Sequence, residues 1–194
     1  MAEITSKRDL IIQAAIQVFA RSGFYKAKVG DIAETAGVGK GTIYEYFNSK
    51  DHLFEEMVHF SLDTYITSIK NVLFQNITTE SKLREFFLLI IRFTQKHMDI
   101  MRIFSQEAWR SDNNIVYLMM DAKKQIVTLV EEVLTEAVNK GEFRPIDEKI
   151  AAIIFLGGIN YMVMYHVSLH DDHITEEQIN QYIDLFIKGL KSHQ

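Results

Sequence analysis

The chain has 194 residues, 47% of them hydrophobic, 24% charged and 11% aromatic, a balance that suits one large or two small folded domains and excludes an intrinsically disordered chain. One proline and nine glycines are too few turn-formers for an all-β sandwich or barrel, so the expected fold class is all-α. A net charge of −5 excludes a uniformly basic nucleic-acid-binding coat, and the absence of cysteine excludes disulfides, Cys-ligated metal centres and a cysteine nucleophile. The opening segment lacks a basic stretch followed by an apolar core, so a signal peptide is not expected and the chain is read as cytoplasmic. The longest apolar run, Ile150–Tyr165, carries Asn160 and falls short of the roughly 20 residues of a membrane span; it is expected to be a buried helix without membrane contact.

Charge is unevenly distributed. Up to residue 50 there are seven Lys+Arg against five Asp+Glu, and after it fourteen against twenty-one. A mildly basic head is thus joined to an acidic body, and the asymmetry is more informative than the total.

Helical periodicity dominates the elements in chain order. Leu10, Ile11, Ala14, Ala15, Val18 and Phe19 form the stripe of an amphipathic helix, with Ser6 three residues before Asp9 resembling a capping box and Gly23 expected to end the helix as a left-handed cap. Two short helices follow, Val29–Ala36 and Lys40–Phe47, separated by Gly37-Val38-Gly39, the connection length of a helix-turn-helix. Ser49 can cap a long helix carrying Leu53, Met57, Leu62, Tyr65, Ile69 and Leu73. Further helices are expected at Lys82–His97, Ile100–Trp109, Ile115–Lys140, Ile146–His170 and Glu176–Lys191, about nine in total. The expected organisation is a head, 1–50, and a helical body, 51–194, sharing the helix after Ser49.

The most specific signal is the run Asp31 to Lys50. Ile32, Ala33 and Ala36 can pack the first short helix, Gly37 permits a left-handed turn, Val38 plugs the corner, and Ile43 with Phe47 fastens the second helix. The remaining face of that helix begins with Lys40, Gly41 and Thr42 and continues to Tyr46. A cation, a hydroxyl and glycines at a helix N-terminus suit phosphate and base-edge contact in a DNA major groove.

The pattern Ile32-Ala33, Ala36-Gly37-Val38, Lys40-Gly41-Thr42-Ile43-Tyr44, Tyr46-Phe47, Ser49-Lys50 and Leu53 resembles the DNA-binding head of the TetR (tetracycline-repressor) family of bacterial regulators. The resemblance implies a three-helix head that places its third helix in the major groove, and a body that binds a small effector and dimerises. Carried over by position, the DNA contacts fall on Lys28, Val29, Gly39, Lys40, Gly41, Thr42, Tyr44, Tyr46 and Lys50. Tyr44 and Lys50 are expected to hold phosphates, and Lys40, Thr42 and Tyr46 to reach base edges or adjacent phosphates. Three positions depart from the family pattern: Lys28 replaces a common Thr, Gly39 a common Ser, and Gly30 a basic or polar residue. The expected partner is double-stranded, approximately palindromic operator DNA, bound by a homodimer acting as a repressor.

In the body, large apolar residues at helical spacing suit either a simple core or the lining of an effector cavity, which the resemblance implies. Candidate lining residues are Phe86, Phe87, Ile90, Phe93, Met101, Phe104, Trp109, Met120 and Phe155, with Thr94, His97, Arg110, Asn160 and Tyr161 as polar groups that orient a ligand. A hydrogen bond within the core is an equal reading for Asn160, and a helix-dipole role for Arg110. The segment Leu134–Met164, with Gly141-Glu142 and Phe155-x-Gly157, is similar to fatty-acid-metabolism regulators of the same family, which implies a hydrophobic effector of the fatty-acid or acyl-coenzyme A class. Ile179, Tyr182, Ile183, Phe186 and Leu190 form an apolar stripe, and Gly157 and Gly158 permit close approach; these are the expected dimer contacts, although the same faces could close the core of a single chain.

His166, His170 and His173 with Asp171 and Asp172 resemble a metal-ligand grouping, but a histidine-rich helix end also suits the helix dipole, so no metal or other cofactor is expected. No phosphate loop, nucleophile elbow or other catalytic constellation is present in the sequence, and the chain is not expected to be an enzyme. The alternative reading is a helical small-molecule or metal-binding carrier, or an enzyme, with a vestigial head.

Overall fold

The computed structural model describes residues 6–96, 113–168 and 174–191, and every regular element among them is a helix. In chain order they are α1 (Lys7–Lys26), α2 (Val29–Ala36), α3 (Lys40–Tyr46), α4 (Lys50–Leu73), α5 (Thr79–Lys96), α6 (Asn113–Asn139), α7 (Glu148–Ser168) and α8 (Glu176–Leu190). The expected helix Ile100–Trp109 lies outside the described residues; the others are present, their ends displaced by less than about one turn. Two compact units divide the described chain, 6–65 with 113–120 and 66–96 with 121–191, the boundary falling inside α4 and inside α6.

The first unit is built on α1. Ser6 caps it by accepting the Asp9 N–H at 3.2 Å, and Ile11, Ile12, Ala14, Ala15, Val18 and Phe19 are buried along one side. Gly23 does not end the helix as a left-handed cap. Its φ of 69° comes with a ψ of 165°, a region open essentially to glycine alone, and a final turn continues to Lys26. This corner brings Phe24 back onto the core: its ring stacks on Phe19 at 5.6 Å and meets Phe54 of α4 edge-on at 5.0 Å, while Phe19 and Phe54 are 5.2 Å apart. Ile32, Ala33, Ile43 and Phe47 anchor α2 and α3 in the same core, and Ser49 caps α4 by accepting the His52 N–H at 3.0 Å. An Arg8–Glu56 ion pair joins α1 to α4.

In the second unit α5 packs against α7 and α8. Leu83, Phe86 and Phe87 of α5 meet a core that includes Val130 and Leu134 of α6, Ala152, Phe155 and Ile159 of α7, and Ile179, Ile183 and Ile187 of α8. Lys82, almost fully buried, pairs with Glu136 at 3.3 Å, and the Thr79 hydroxyl donates to Glu142 at 2.7 Å, tying α5 to the end of α6. A reciprocal Thr175–Gln178 capping box starts α8. The Tyr182 hydroxyl donates to the Phe155 carbonyl at 2.5 Å; burial pushes its pKa up to about 12, so the phenol remains a neutral donor.

Much of the expected dimer face is already used within the chain. Ile179, Ile183 and Leu190 are buried within their own chain, and Tyr182 and Phe186 are half-buried against Phe155. Gly158 also serves an internal approach, since a Cβ there would lie 2.4 Å from the Tyr182 hydroxyl. Most of the α8 stripe is covered by α5 and α7, with Tyr182 and Phe186 left partly exposed. Nor is α7 a buried helix. It is apolar on two sides: Ala151, Ala152, Phe155, Ile159 and Val163 face inward, whereas Ile150, Ile153, Ile154, Gly157, Tyr161, Met164 and Tyr165 are exposed, Tyr161 at 72%. By length and composition alone α7 could span a membrane.

Two glycine substitutions should move stability in opposite directions. Neither Gly23 nor Gly30 has an atom within 4 Å of a built Cβ, so only the backbone decides. Gly23→Ala should destabilise by ~1–3 kcal/mol because of its positive φ, and Gly30→Ala, within α2, should stabilise by ~0.5–1 kcal/mol. Urea denaturation of both variants checks the two signs.

Candidate nucleic-acid interface

The geometry of the α2–α3 pair follows from its two buried anchors and one turn. Gly37 is left-handed at φ 67° and ψ 31°, and the Val38 N–H bonds the Ala33 carbonyl at 3.0 Å, closing α2. Val38 packs partly buried at the corner, and Ile43 and Phe47 draw α3 onto the core at 1% exposure each. With those residues inward, Lys40, Gly41, Tyr44 and Tyr46 are exposed and Thr42 is half-buried.

Lys28 is the exposed N-cap residue of α2, Val29 begins that helix half-buried, and Gly39 is the exposed N-cap residue of α3. Neither N-cap provides a side-chain hydrogen bond. The departures from the family pattern at Lys28 and Gly39 thus have a local consequence: both helices that carry the candidate contacts begin without a capping hydroxyl. The structure brings eight of the nine predicted contact residues, from Lys28 to Tyr46, to the exposed or half-exposed parts of the α2–α3 pair.

Lys50 is different. Its Nζ donates to the carbonyls of Phe24 at 2.9 Å, Ala27 at 3.2 Å and Tyr25 at 3.4 Å, and lies 4.5 Å from the centre of the Phe24 ring. Its ammonium thus faces the turn between α1 and α2. Sequence reading had no signal for this, because a lysine at the start of a helix looks the same whether it faces solvent or the preceding turn.

The effector candidates divide three ways. Phe86, Phe87 and Phe155 are fully buried, and Ile90, Phe93 and Thr94 half-buried, on α5 and α7 of the second unit. Phe86 lies 6.0 Å from Phe155, and Phe87 lies 5.2 Å from Tyr182. Asn160 and Tyr161 are exposed on the other side of α7, and Met120 is 49% exposed, so these three do not share the interior with Phe155. His97, Met101, Phe104, Trp109 and Arg110 lie outside the described residues, as do His170 and His173 of the histidine grouping.

A buried three-helix scaffold presenting one helix and the start of another, followed by a helical second unit, defines a helix-turn-helix transcriptional regulator. Residues 11–57 match the family described as bacterial regulatory proteins, tetR family, and residues 76–190 match the tetracyclin repressor-like C-terminal domain. The chain belongs to the TetR family. It is 25% identical over 188 residues to the fatty acid metabolism regulator protein of Bacillus subtilis, covering 93% of each chain. Among solved structures it is similar to the fatty acid degradation regulator FadR of Bacillus halodurans, with 26% identity, a TM-score of 0.74 and coverage of 94% of this chain and 99% of that one. The FadR of Bacillus subtilis, solved in complex with stearoyl-CoA, aligns with a TM-score of 0.75 at 22% identity, over 93% of this chain and 98% of that one.

The uncapped start of α3 gives a specific expectation. A Cβ at Gly39 would meet only the Thr42 hydroxyl, at 3.9 Å, so Gly39→Ser fits and supplies the missing cap. It should raise stability by a few tenths of a kcal/mol, about the difference between glycine and serine at an N-cap, as measured by thermal unfolding.

Proposed function

We propose that this ligand-responsive regulator is a cytoplasmic homodimeric repressor that holds an approximately palindromic operator with two heads and releases it when a fatty-acid or acyl-CoA effector binds the body. The exposed α2–α3 surface carries this reading, with Lys28, Val29, Gly39, Lys40, Gly41, Thr42, Tyr44 and Tyr46 as the DNA contacts. The head is residues 1–50 and the body 51–194. Because α4 runs unbroken from Lys50 to Leu73, a ligand-driven change in the body has a rigid element through which to shift the heads. A coupling of ~1–3 kcal/mol would change operator affinity about 5–150-fold.

The exposed face of α7 supports the dimer. Ile150, Ile154, Gly157, Tyr161 and Met164 recur at alternating steps of four and three, the spacing of a helix–helix seam. A second copy of α7 across a twofold axis would cover this face and join two heads in one molecule. The inward face already packs against the chain's own helices, which favours a protein partner over lipid as the cover for the outer one.

For the effector, the relatives named for fatty-acid metabolism and the long apolar side chains of α5 support an acyl chain held near Phe86, Phe87, Ile90, Phe93, Thr94 and Phe155. The relatives are transcriptional regulators, and the chain is accordingly assigned no enzymatic role.

Two experiments test these readings separately. Ile154→Glu combined with Tyr161→Asp should give a monomer in analytical ultracentrifugation and weaken binding to a duplex selected from a random-sequence pool by about a hundredfold or more, as avidity is lost. A variant that stays dimeric would remove α7 from the interface. Titration of the wild-type complex with stearoyl-CoA, stearate and coenzyme A should release DNA with the acylated ligands and not with coenzyme A alone; three flat titrations would exclude this effector class.

A further inference from the structure

The end of α3 is enclosed by side chains from α1 and α4. Phe47, its buried C-terminal anchor, has the Arg8 guanidinium over its ring at 5.8 Å and the His52 imidazole edge-on at 5.9 Å. Both groups meet at Glu56: Arg8 pairs with one carboxylate oxygen, and the other lies 3.9 Å from His52 Nε2. The connection from α3 to α4 is Phe47-Asn48-Ser49, and His52 is bonded to it twice. Its main-chain N–H donates to the Ser49 hydroxyl at 3.0 Å, and its Nδ1 accepts the Asn48 N–H at 3.1 Å.

This arrangement is close to a capping box in which histidine replaces the usual Glu or Gln and reaches the N–H one residue before the cap. The replacement matters because imidazole changes its hydrogen-bonding sense near neutral pH. A main-chain N–H can be accepted only by an unprotonated ring nitrogen, so neutral His52 holds its proton on Nε2, towards Glu56. A second proton must go to Nδ1, where it turns the acceptor into a donor facing the Asn48 N–H.

We propose that His52 is a positioning residue for DNA recognition: neutral, it fixes the turn that leaves α3 and with it the placement of Tyr44 and Tyr46; protonated, it releases that turn, so that operator affinity falls on acidification. The proposal rests on the assignment of α3 to DNA.

The charges around His52 favour release. Glu56 draws an imidazolium towards itself and away from Asn48, and Arg8 of α1 shares that carboxylate. Asp51 beside it is exposed, and Glu55 accepts from Asn114 of α6 at 3.1 Å. On α3, Glu45 is exposed and the group that meets His52 is the apolar Phe47 ring. Protonation thus exchanges a bond to the turn for an attraction within α4. A positive charge added to the head would by itself strengthen phosphate binding, the opposite sign, so the direction of the pH effect separates position from charge.

The test uses the full chain, a duplex selected by the wild-type protein from a random-sequence pool, and His52→Gln and His52→Ala. Affinities are compared from about pH 8 to about pH 5.5, where imidazoles titrate and carboxylates stay largely ionised. His52→Gln keeps an acceptor that does not titrate, and His52→Ala has none. Relative to His52→Gln, the wild-type chain should lose about three- to tenfold in affinity over this range, the scale of one hydrogen bond. His52→Ala should bind more weakly than His52→Gln by a similar factor at both ends.

NMR of the DNA-free proteins supplies a second readout. Neutral His52 should be the Nε2–H tautomer, and the Asn48 amide resonance should follow the imidazole titration in the wild type and not in His52→Gln. Parallel pH profiles for wild type and His52→Gln, equal affinities for the two variants, or an Nδ1–H tautomer would overturn the proposal. Should His52→Ala not fold, the profile of His52→Gln and the tautomer decide. Failure of the wild-type chain to select any duplex would instead overturn the DNA assignment, and the NMR result would still report whether His52 holds the turn.

Discussion

The contact among Phe19, Phe24 and Phe54 is the constraint on which the head depends. Helices of eight and seven residues, α2 and α3, are far below the ~12–15 residues at which an isolated helix becomes even marginally stable in water, so they exist only because a core receives their apolar faces. Burying a phenylalanine contributes ~1.5–3 kcal/mol, and ring pairs at these separations add ~0.5–1.5 kcal/mol. Such terms are large beside the propensity deficit that Gly30 and Gly41 impose on the short helices. The ring cluster itself requires the positive-φ corner at Gly23, without which Phe24 would continue along α1 away from Phe54. One glycine and three rings therefore precede the recognition surface in the order of physical dependence.

The second unit solves a different problem, that of a helix with two apolar sides. The inner side of α7 meets α5 and α8 through Phe155, and the close approach at Gly158 lets Tyr182 lie flat enough to reach the Phe155 carbonyl. The outer side has no comparable cover among the described residues: Ile150, Ile153, Ile154, Tyr161, Met164 and Tyr165 form an exposed apolar strip. Large exposed strips of this kind are uncommon on monomers and are characteristic of subunit interfaces. The acidic residues of 51–194 lie elsewhere in the sequence, leaving this face uncharged.

Much of this was legible in the amino-acid order. Period-3.6 stripes located the helices, Ser6 and Ser49 mark starts that the structure caps, and the Gly37-Val38-Gly39 turn with Ile43 and Phe47 identified the helix-turn-helix. What was hidden is sidedness. Periodicity shows that a face is apolar but not whether its cover comes from the same chain, so neither the burial of much of the α8 stripe nor the exposure of the outer face of α7 could be read from it. The same blindness applies to charge: Lys50 looks like any lysine at a helix start, and only three-dimensional proximity to the Phe24, Tyr25 and Ala27 carbonyls reveals that its donors are engaged. Gly23 was located correctly as a break, but its ψ, which decides where Phe24 goes, depends on the rings it serves.

The distribution of helix caps follows the proposed division of labour. Ser6, Ser49 and Thr175 satisfy first-turn N–H groups of α1, α4 and α8 with side-chain oxygens, whereas α2 and α3 begin at Lys28 and Gly39 with none. An uncapped helix start costs stability, of order ~1 kcal/mol where an N-cap hydroxyl is replaced by an inert side chain, and N–H groups left at a helix start attract anions. Among the helices whose starts are described, α2 and α3 lack a side-chain cap, and these are the two whose starts carry the candidate DNA contacts. A phosphate oxygen is a stronger acceptor than a serine hydroxyl, and Lys28 and Lys40 add charge beside each start, so under the proposed function a duplex would restore what these helices forgo. With only a small basic excess in the first fifty residues, affinity must come from such localised contacts made twice. On the proposed dimer, the sparse charge of the head and the apolar face of α7 answer the same need: a head this weakly basic gains most when a second copy is held beside it.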